Sequence, residues 1–181
     1  KRRLLLVCSK SGMNSRMPDP DPNHNQKKTL KKSRIPAFEV SFFCEQENQK
    51  FPWVARFEPL AKKLLIEEGS TGNVNVVLCS DETIRTMNRD HRKLDKVTDV
   101  LSYEWHEPYL LGEIYIAKDQ VMRQAPQYEN SFYAELKRVL VHGLLHLSGY
   151  DHLKAPDRRV MRRREQEILG LNPYEIEDNN D

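Results

Sequence analysis

His142-Gly-Leu-Leu-His146-Leu-Ser-Gly149-Tyr-Asp-His152 is the stretch of this chain that says most about its fold. Its histidines are spaced by four and then by six residues, after a run that is typical of a buried helix. Residues four apart lie on one face of an α-helix, so His142 and His146 can present their imidazoles to a common point. Gly149 has no Cβ and favours the left-handed conformation that ends helices, which allows the chain to return His152 to that point. Three converging imidazoles predict a metal site with a free fourth position, as in catalytic zinc sites.

Three unrelated histidines, packed or solvated, are the alternative to a metal site. Residues 139–147 are apolar almost all the way round, which is typical of a buried helix. Burying two histidines without a partner costs free energy, and a shared metal ion removes that cost. Half of the six histidines of the chain fall within the eleven residues of the motif. The metal site is therefore favoured over unrelated histidines.

Charge is divided unevenly along the chain, although the formal net charge is only +2. Residues 1–36 carry ten Lys and Arg against two Asp, and the last seven residues carry four acidic side chains. Residues 9–36 are rich in Lys, Asn, Pro, Ser and Asp, a composition that buries too little apolar surface to become ordered. We therefore expect a disordered basic extension over 1–36, one domain over 37–174 and an acidic, frayed tail over 175–181.

Cys8, Cys44 and Cys79 are odd in number and too far apart for a metal-ligand spacing. This pattern fits a reducing compartment and argues against a disulfide framework and a cysteine-based zinc site. The apolar run after the basic residues 1–3 is too short for the core of a signal peptide, and no stretch reaches transmembrane length. We expect a soluble, cytoplasmic protein with no membrane partner, and nothing in the sequence predicts a small-molecule cofactor.

Hydrophobic periodicity and helix-end signals predict four strands and five helices. The predicted strands are 38–43, 73–79, one within 97–105, and 112–117; the predicted helices are 54–68, a short one after a cap at Ser80, 118–124, 132–148 and 156–169. Strands and helices interleave without a strict βαβ repeat, which favours an α+β domain. We expect a single small mixed four-stranded sheet packed with about five helices, with the zinc site at the end of a central buried helix.

A second polar segment, residues 88–105, places charged, amide and hydroxyl side chains before a predicted strand. By itself this segment is a loop in which Arg92 could hold a phosphate through its planar fork of donors, and a solvated loop with local ion pairs is the favoured alternative. Together with the histidine motif and residues 111–114, however, it resembles the YbeY family of metal-dependent endoribonucleases. The shared patterns are Thr-Asp-Val-Leu-Ser-aromatic, Gly-acid-Ile and His-Gly-x-Leu-His-Leu-x-Gly-Tyr-Asp-His. The resemblance covers about residues 38–169 in element order.

The resemblance implies an enzyme that cleaves single-stranded RNA and acts in 3′-end maturation of 16S-type small-subunit ribosomal RNA and in ribosome quality control. Its partners would be single-stranded RNA, ribosomal RNA and the small ribosomal subunit or its factors. One Zn²⁺ per chain would be held by His142, His146 and His152. The functionally important arginine of the family maps to Arg92, which is the expected catalytic and RNA-binding residue.

Three further side chains are candidates for the site. Ser102 could bind the substrate or serve as a structural hydroxyl. Asp99 and Asp151 could accept hydrogen bonds from the ligand histidines, although Asp151 could instead shape the turn. Glu113 stands where the family usually has Asp, which leaves the role of that carboxylate open.

Two other functions are compatible with the histidine motif. Metzincin proteases share the histidine spacing but have Glu, their general base, directly after the first histidine, and here that position is Gly143. A zinc-stabilised ribosome- or RNA-binding module with little nuclease activity would use its metal structurally, and structural sites usually have four protein ligands. His91 and His106 are the candidates for a fourth ligand.

The last predicted helix is strongly basic. Its arginines are Arg158, Arg159, Arg162, Arg163 and Arg164. They could contact RNA or the ribosome, and an ordinary solvated helix face accounts for them equally well.

Overall fold

The computed structural model of this chain describes residues 38–45, 53–107 and 109–171. The expected basic extension, 1–36, and the expected acidic tail, 175–181, lie outside these residues, so both stay predictions. No helix in the described part of the chain is long and apolar enough to cross a membrane.

The described residues form four strands, five α-helices and one 3-10 helix, which confirms the predicted set of elements. The strands are β1 (Val40–Cys44), β2 (Asn73–Cys79), β3 (Val100–Glu107) and β4 (Leu110–Ala117). The helices are α1 (Val54–Glu67), α2 (Asp81–Arg92), α3 (Lys118–Gln124), α4 (Phe132–Leu147) and α5 (Ala155–Leu169), and the 3-10 helix is Ala125–Tyr128. Observed and predicted ends differ by one or two residues where they differ, as is usual for frayed element ends.

The four strands form one mixed sheet in the order β1-β2-β4-β3, which confirms the predicted α+β fold. β1 pairs with β2 and β2 pairs with β4 in parallel, whereas β3 pairs with β4 antiparallel. The parallel pairs are joined through helices, because parallel strands need a long crossover connection. β3 is consequently an edge strand of the sheet.

One face of the sheet packs against α1 and α4 in the main core. This core combines buried side chains of β2 and β4 with those of the two helices: Val74, Val76, Ile114, Ile116, Leu64, Leu65, Leu140 and Leu144. Nine of the 16 residues of α4 are buried, which confirms the prediction of a central buried helix. Each fully buried aliphatic side chain contributes about 1.5–3 kcal/mol through the hydrophobic effect, so the sheet holds α4 firmly.

The opposite face of the sheet is covered by α2 over a smaller core. Ile84 of α2 belongs there to one buried cluster with Leu101 and Tyr103 of β3 and Ala117 of β4. The helix begins as predicted at Ser80, whose hydroxyl oxygen accepts a hydrogen bond from the backbone N–H of Thr83 at 3.2 Å. The C-terminal end of α2 lies beside the edge strand β3.

Two glycines allow α4 to lie very close to the sheet. A Cβ at Gly112 would lie 2.5 Å from both the Leu147 side chain and the Tyr103 carbonyl oxygen. A Cβ at Gly143 would lie 2.9 Å from the Ile114 side chain. Real Cβ atoms do not approach other atoms this closely, so these positions set the height of α4 above β3 and β4.

Candidate metal centre

The C-terminal half of α4 brings two histidines into direct contact. His142 and His146 lie one helical turn apart, and their Nε2 atoms are 3.1 Å apart. One ring nitrogen from each of these residues and one from His152 lie within 4.8 Å of one another. The three side chains, called the histidine cluster below, therefore converge on one point, as the sequence predicts.

A tight turn after α4 returns the chain to this point. Gly149 has φ +90°, and the N–H of Gly149 and Tyr150 donate to the carbonyls of His146 and Leu145, both at 3.0 Å. This pair of bonds is the Schellman arrangement that a left-handed glycine permits, so the predicted role of Gly149 is confirmed. The turn places the ring of His152 4.8 Å from the ring of His146.

Asp151 shapes the same turn. Its Oδ1 accepts hydrogen bonds from the backbone N–H of His152 at 2.6 Å and of Leu153 at 3.0 Å. Local bonds of this kind are typical of Asp in turns. The described contacts of Asp151 are thus with the backbone and not with an imidazole, and they orient the segment that carries the third histidine.

Two acceptors hold the rings of the helical histidines. Nδ1 of His142 donates to Oε1 of Glu165 in α5 at 2.6 Å, and Nδ1 of His146 donates to the carbonyl oxygen of Tyr150 at 2.9 Å. Because each Nδ1 carries its proton toward an acceptor, each Nε2 keeps its lone pair for another ligand. Metal-binding histidines are oriented by such bonds in general.

Sequence reasoning missed Glu165. Glu165 shares the inward side of α5 with the buried Met161, one turn earlier in the sequence. A carboxylate on the inward side of an amphipathic helix needs a partner, because burying an unpaired charge is costly. The position of Glu165 four residues after the apolar Met161 is therefore the signal in the sequence that could have identified it.

Burial keeps two residues of the histidine cluster in the form that binds metals. It lowers the pKa of His146 to about 4, and positive charge on His142 or His152 would act in the same direction. Burial also lowers the pKa of His152. His146 and His152 are therefore neutral at neutral pH, as imidazoles must be to coordinate a metal ion.

The donor set fits a zinc ion. Nδ1 of His152 is buried and has no hydrogen-bond partner among the described residues. A buried polar nitrogen without a partner is rare in folded proteins and calls for a ligand. Three imidazoles with an open position form the donor set of catalytic zinc sites, so the residues present suit Zn²⁺ in chemistry as well as in position.

No fourth protein ligand joins the histidine cluster within the described ranges: no other His, Cys, Asp or Glu lies close enough. His91, a candidate for this role, is exposed and packs its ring edge-on against Tyr103, with ring centroids 5.4 Å apart. The side chain of His106, the other candidate, is outside the described part. Three ligands are the number found in catalytic sites rather than in structural ones.

Gly143 faces the sheet and not the histidine cluster. Its carbonyl oxygen accepts a hydrogen bond from the hydroxyl of Ser102 at 3.2 Å, and a Cβ added to it would lie 3.1 Å from that hydroxyl. A side chain at position 143 would therefore collide with the sheet, whereas metzincins carry a glutamate at this position. The structure does not favour the protease alternative. The described contact of Ser102 is structural, and its contact with RNA stays a prediction.

Asp99 lies in a polar network beside the start of α4. Its Oδ2 accepts a hydrogen bond from Gln124 at 3.0 Å and lies 3.7 Å from the guanidinium of Arg138. Gln124 also donates to the fully buried Glu135 at 2.8 Å. In the described structure Asp99 contacts none of the three histidines, and it ties the start of β3 to α3 and α4.

Arg92 is the exposed last residue of α2. Burial raises the pKa of Tyr103 to about 12, and the nearby charge of Arg92 acts against that rise. Glu113 lies on the same face of the sheet as Tyr103 and accepts a hydrogen bond from the Tyr115 hydroxyl at 3.2 Å. No described contact joins Arg92 to the histidine cluster, so the structure unites the three histidines and leaves Arg92 apart from them.

Comparison with known proteins places this geometry in a family. The profile of the family described as Endoribonuclease YbeY matches residues 42–172. The chain is 38% identical over 129 residues to the endoribonuclease YbeY of Fusobacterium nucleatum, a match that covers 65% of this chain and 80% of the relative. It is 34% identical over 146 residues to the endoribonuclease YbeY of Bacillus cytotoxicus, covering 72% of this chain and 94% of that protein.

A solved structure has the same fold. The solution structure of TM1509 from Thermotoga maritima is similar to this chain with a TM-score of 0.51 and 29% sequence identity. The similarity covers 78% of this chain and 99% of that protein. The fold described above is thus similar to one known from a solved structure.

Proposed function

The chain belongs to the YbeY family, and from this membership we propose that it is a zinc-dependent endoribonuclease that cleaves single-stranded RNA. The observation that carries the proposal is the convergence of three ring nitrogens within 4.8 Å of one another, from His142, His146 and His152. Homologues described as endoribonucleases match most of the chain and support the hydrolase class.

The histidine cluster would hold one Zn²⁺ per chain. A bound zinc ion supplies Lewis acidity toward a phosphoryl oxygen and lowers the pKa of water. Glu165 and the carbonyl of Tyr150 keep Nε2 of His142 and His146 directed at a common point. Because His146 and His152 are neutral at neutral pH, neither needs to lose a proton before a cation binds.

Arg92 is the residue that we propose for the phosphate. Its guanidinium is exposed, and no described carboxylate forms an ion pair with it, so its donors can reach a phosphodiester. A planar guanidinium binds phosphate oxygens in a bidentate manner and offsets the negative charge that develops on them. Ser102 is a further proposed contact with the substrate.

The biological substrate that we propose is the 3′ end of small-subunit ribosomal RNA. This part of the proposal rests on the resemblance of the three sequence patterns to the YbeY family. The partners would then be single-stranded ribosomal RNA and the small ribosomal subunit or its factors, in the cytoplasm. Cys44 and Cys79, which are free thiols, are consistent with a reducing compartment.

The decisive experiment measures zinc content and RNA cleavage on the same purified samples of the native protein and His142→Ala. We expect one zinc per native chain, cleavage of a single-stranded RNA, and loss of both in the variant. Zinc in the native protein without any cleavage would instead favour the zinc-stabilised binding module. Full zinc content in His142→Ala would contradict the metal centre itself.

A further inference from the structure

We propose that four arginines of α5 bind the phosphate backbone of the single-stranded RNA that reaches the metal centre. The inference rests on the proposed nuclease function and adds the surface that would hold its substrate. The four side chains, called the arginine flank, are all exposed: Arg158, Arg159, Arg162 and Arg163.

Helix geometry gathers the arginine flank on one side of α5. Each residue of an α-helix is rotated by about 100° from the one before it, so the four positions span an arc of about 140°. Arg164 lies outside this arc and binds two carboxylates at the C-terminal end of α1, Glu67 at 2.8 Å and the following Glu68 at 2.6 Å. One arginine of the helix thus stabilises the fold, while the flank faces solvent.

The arginine flank has no internal counter-charge. Among the described residues no carboxylate lies within the 4.0 Å ion-pair distance of any of its guanidinium groups. Two carboxylates of the same helix have other partners, since Glu165 binds His142 and Glu167 binds Arg164 at 3.1 Å. Like charges four residues apart destabilise a helix, and the flank contains two such pairs. An anionic ligand would remove this repulsion.

Two contacts connect α5 to the metal centre, and one of them is made by the arginine flank. Nε of Arg158 donates to the carbonyl oxygen of His152 at 3.2 Å, and Glu165 binds Nδ1 of His142 at 2.6 Å. Arg162 lies between Arg158 and Glu165 along the helix. A phosphate chain held at Arg158 would therefore lie beside the segment that carries His152.

Single-stranded RNA suits this surface better than an acidic protein does. Its phosphates form a continuous row of charges, and arginine forks match phosphate oxygens. A row of phosphates can follow α5 and continue to the metal centre, where the cleaved bond would lie. Binding of an acidic protein segment to the flank would not require that segment to extend to the histidines.

The test measures the affinity for a fluorescein-labelled single-stranded RNA at several KCl concentrations. The native protein is compared with Arg158→Gln/Arg162→Gln, with the lysine pair Arg158→Lys/Arg162→Lys, and with Arg56→Gln/Lys63→Gln as a control on the exposed surface of α1. Each lost phosphate contact lowers the slope of log affinity against log salt by about 0.7, so the glutamine variant should lose about 1.4. Between 50 and 200 mM KCl its affinity should then fall about sevenfold less than that of the native protein.

The lysine pair should keep the native slope, because it keeps both charges, and the α1 control should also keep it. A glutamine variant with native zinc content, native melting temperature and native slope would overturn the proposal. If that variant lost zinc through its contact with His152, Arg162→Gln alone would be measured, with an expected loss of about 0.7.

Failure of the proposed function has a different signature. A native protein that binds RNA without cleaving it would refute the nuclease, whereas a reduced slope in the glutamine variant would still support the arginine flank. If the glutamine variant lost affinity for poly-L-glutamate and not for RNA, the flank would serve an acidic protein, and the proposal would be overturned.

Discussion

Glu165 determines which way His142 faces. It lies in a different helix from the histidine and holds Nδ1 at 2.6 Å, so the metal centre depends on the packing of α5 against α4. We expect Glu165→Gln to lower zinc affinity by about 10–100-fold, the usual effect of losing such a partner. Competition with a chromogenic chelator measures this affinity.

Glu167→Gln is the matched control for this prediction. Glu167 lies in the same helix and has the same charge, but it binds Arg164 and not an imidazole. Its substitution should leave zinc affinity unchanged. Equal zinc affinity in the Glu165 and Glu167 variants would show that Glu165 has no part in orienting His142.

Arg92 has a role that is separable from the metal centre. Since no described contact joins it to the histidine cluster, we expect Arg92→Ala to keep the native zinc content and melting temperature. Loss of an electrostatic contact to a reacting phosphate costs about 10²–10³ in rate, so cleavage should fall by that factor. Single-turnover cleavage of a labelled RNA measures it, and an unchanged rate would remove Arg92 from the mechanism.

At the scale of elements, the contact of α4 with β3 and β4 depends on two glycines. We expect Gly143→Ala to destabilise the protein by about 1–3 kcal/mol, the usual cost of overpacking. Gly112→Ala should cost more, because its Cβ would meet the fixed carbonyl oxygen of Tyr103 as well as the flexible side chain of Leu147. Urea unfolding measures both values, and the reverse order would contradict the explanation.

The start of α4 depends on the buried Glu135. Burial by itself raises the pKa of this carboxyl. Hydrogen bonds from Arg138, Asn130 and Gln124 lower it by more than burial raises it, so the pKa of Glu135 lies below the ordinary value. The ionised carboxylate therefore stabilises the fold above the pKa of an unfolded glutamate, about 4.3. This stability is lost as the pH falls through the lower pKa of the folded state.

We accordingly expect Glu135→Gln to be less stable than the native protein at neutral pH and to lose less stability on acidification. Urea unfolding from about pH 7 to about pH 3, across the carboxyl titration range, measures this difference. Glu129→Gln, at an exposed position two residues before Ser131, should keep the native pH dependence. Parallel pH curves for the native protein and Glu135→Gln would contradict this account.

Local signals explain why element ends and the convergence of the three histidines could be predicted. Ser80 caps α2, and Gly149 and Gly170 end α4 and α5, because short-range hydrogen bonds and φ preferences act within a few residues. The strand order could not be read in the same way. Whether β4 pairs with β2, and which face α2 covers, depends on packing between residues distant in sequence.

The distinction between local signals and long-range packing also applies to the residues of the site. His142, His146 and His152 were predictable because one helix and one turn place them together. The contact of Glu165 with His142 depends on how α5 packs on α4. The location of Asp99 in the network of Gln124 and Arg138, rather than beside an imidazole, depends on how α3 and α4 pack beside the start of β3. Long-range partners of polar side chains are not encoded by spacing.

At the scale of the whole molecule, residues 1–36 are expected to contribute little to the fold. Among the described residues, a core forms from side chains between Phe38 and Leu169, and the composition of residues 9–36 offers little apolar surface to add to it. We expect deletion of residues 1–36 to leave the melting temperature nearly unchanged, measured by differential scanning calorimetry. A large decrease would show that the extension is part of the folded domain.

The order of the elements along the chain has a consequence for biosynthesis. The four strands of the described residues precede residue 118, whereas the three histidines and Glu165 lie between 142 and 165. Domains are made from the N-terminus onward, so the nascent chain acquires its sheet before it acquires any metal ligand. The metal centre is complete only after α5 has been translated. A protein proposed to cleave ribosomal RNA would thus have no nuclease activity for most of the time that its nascent chain is attached to the translating ribosome.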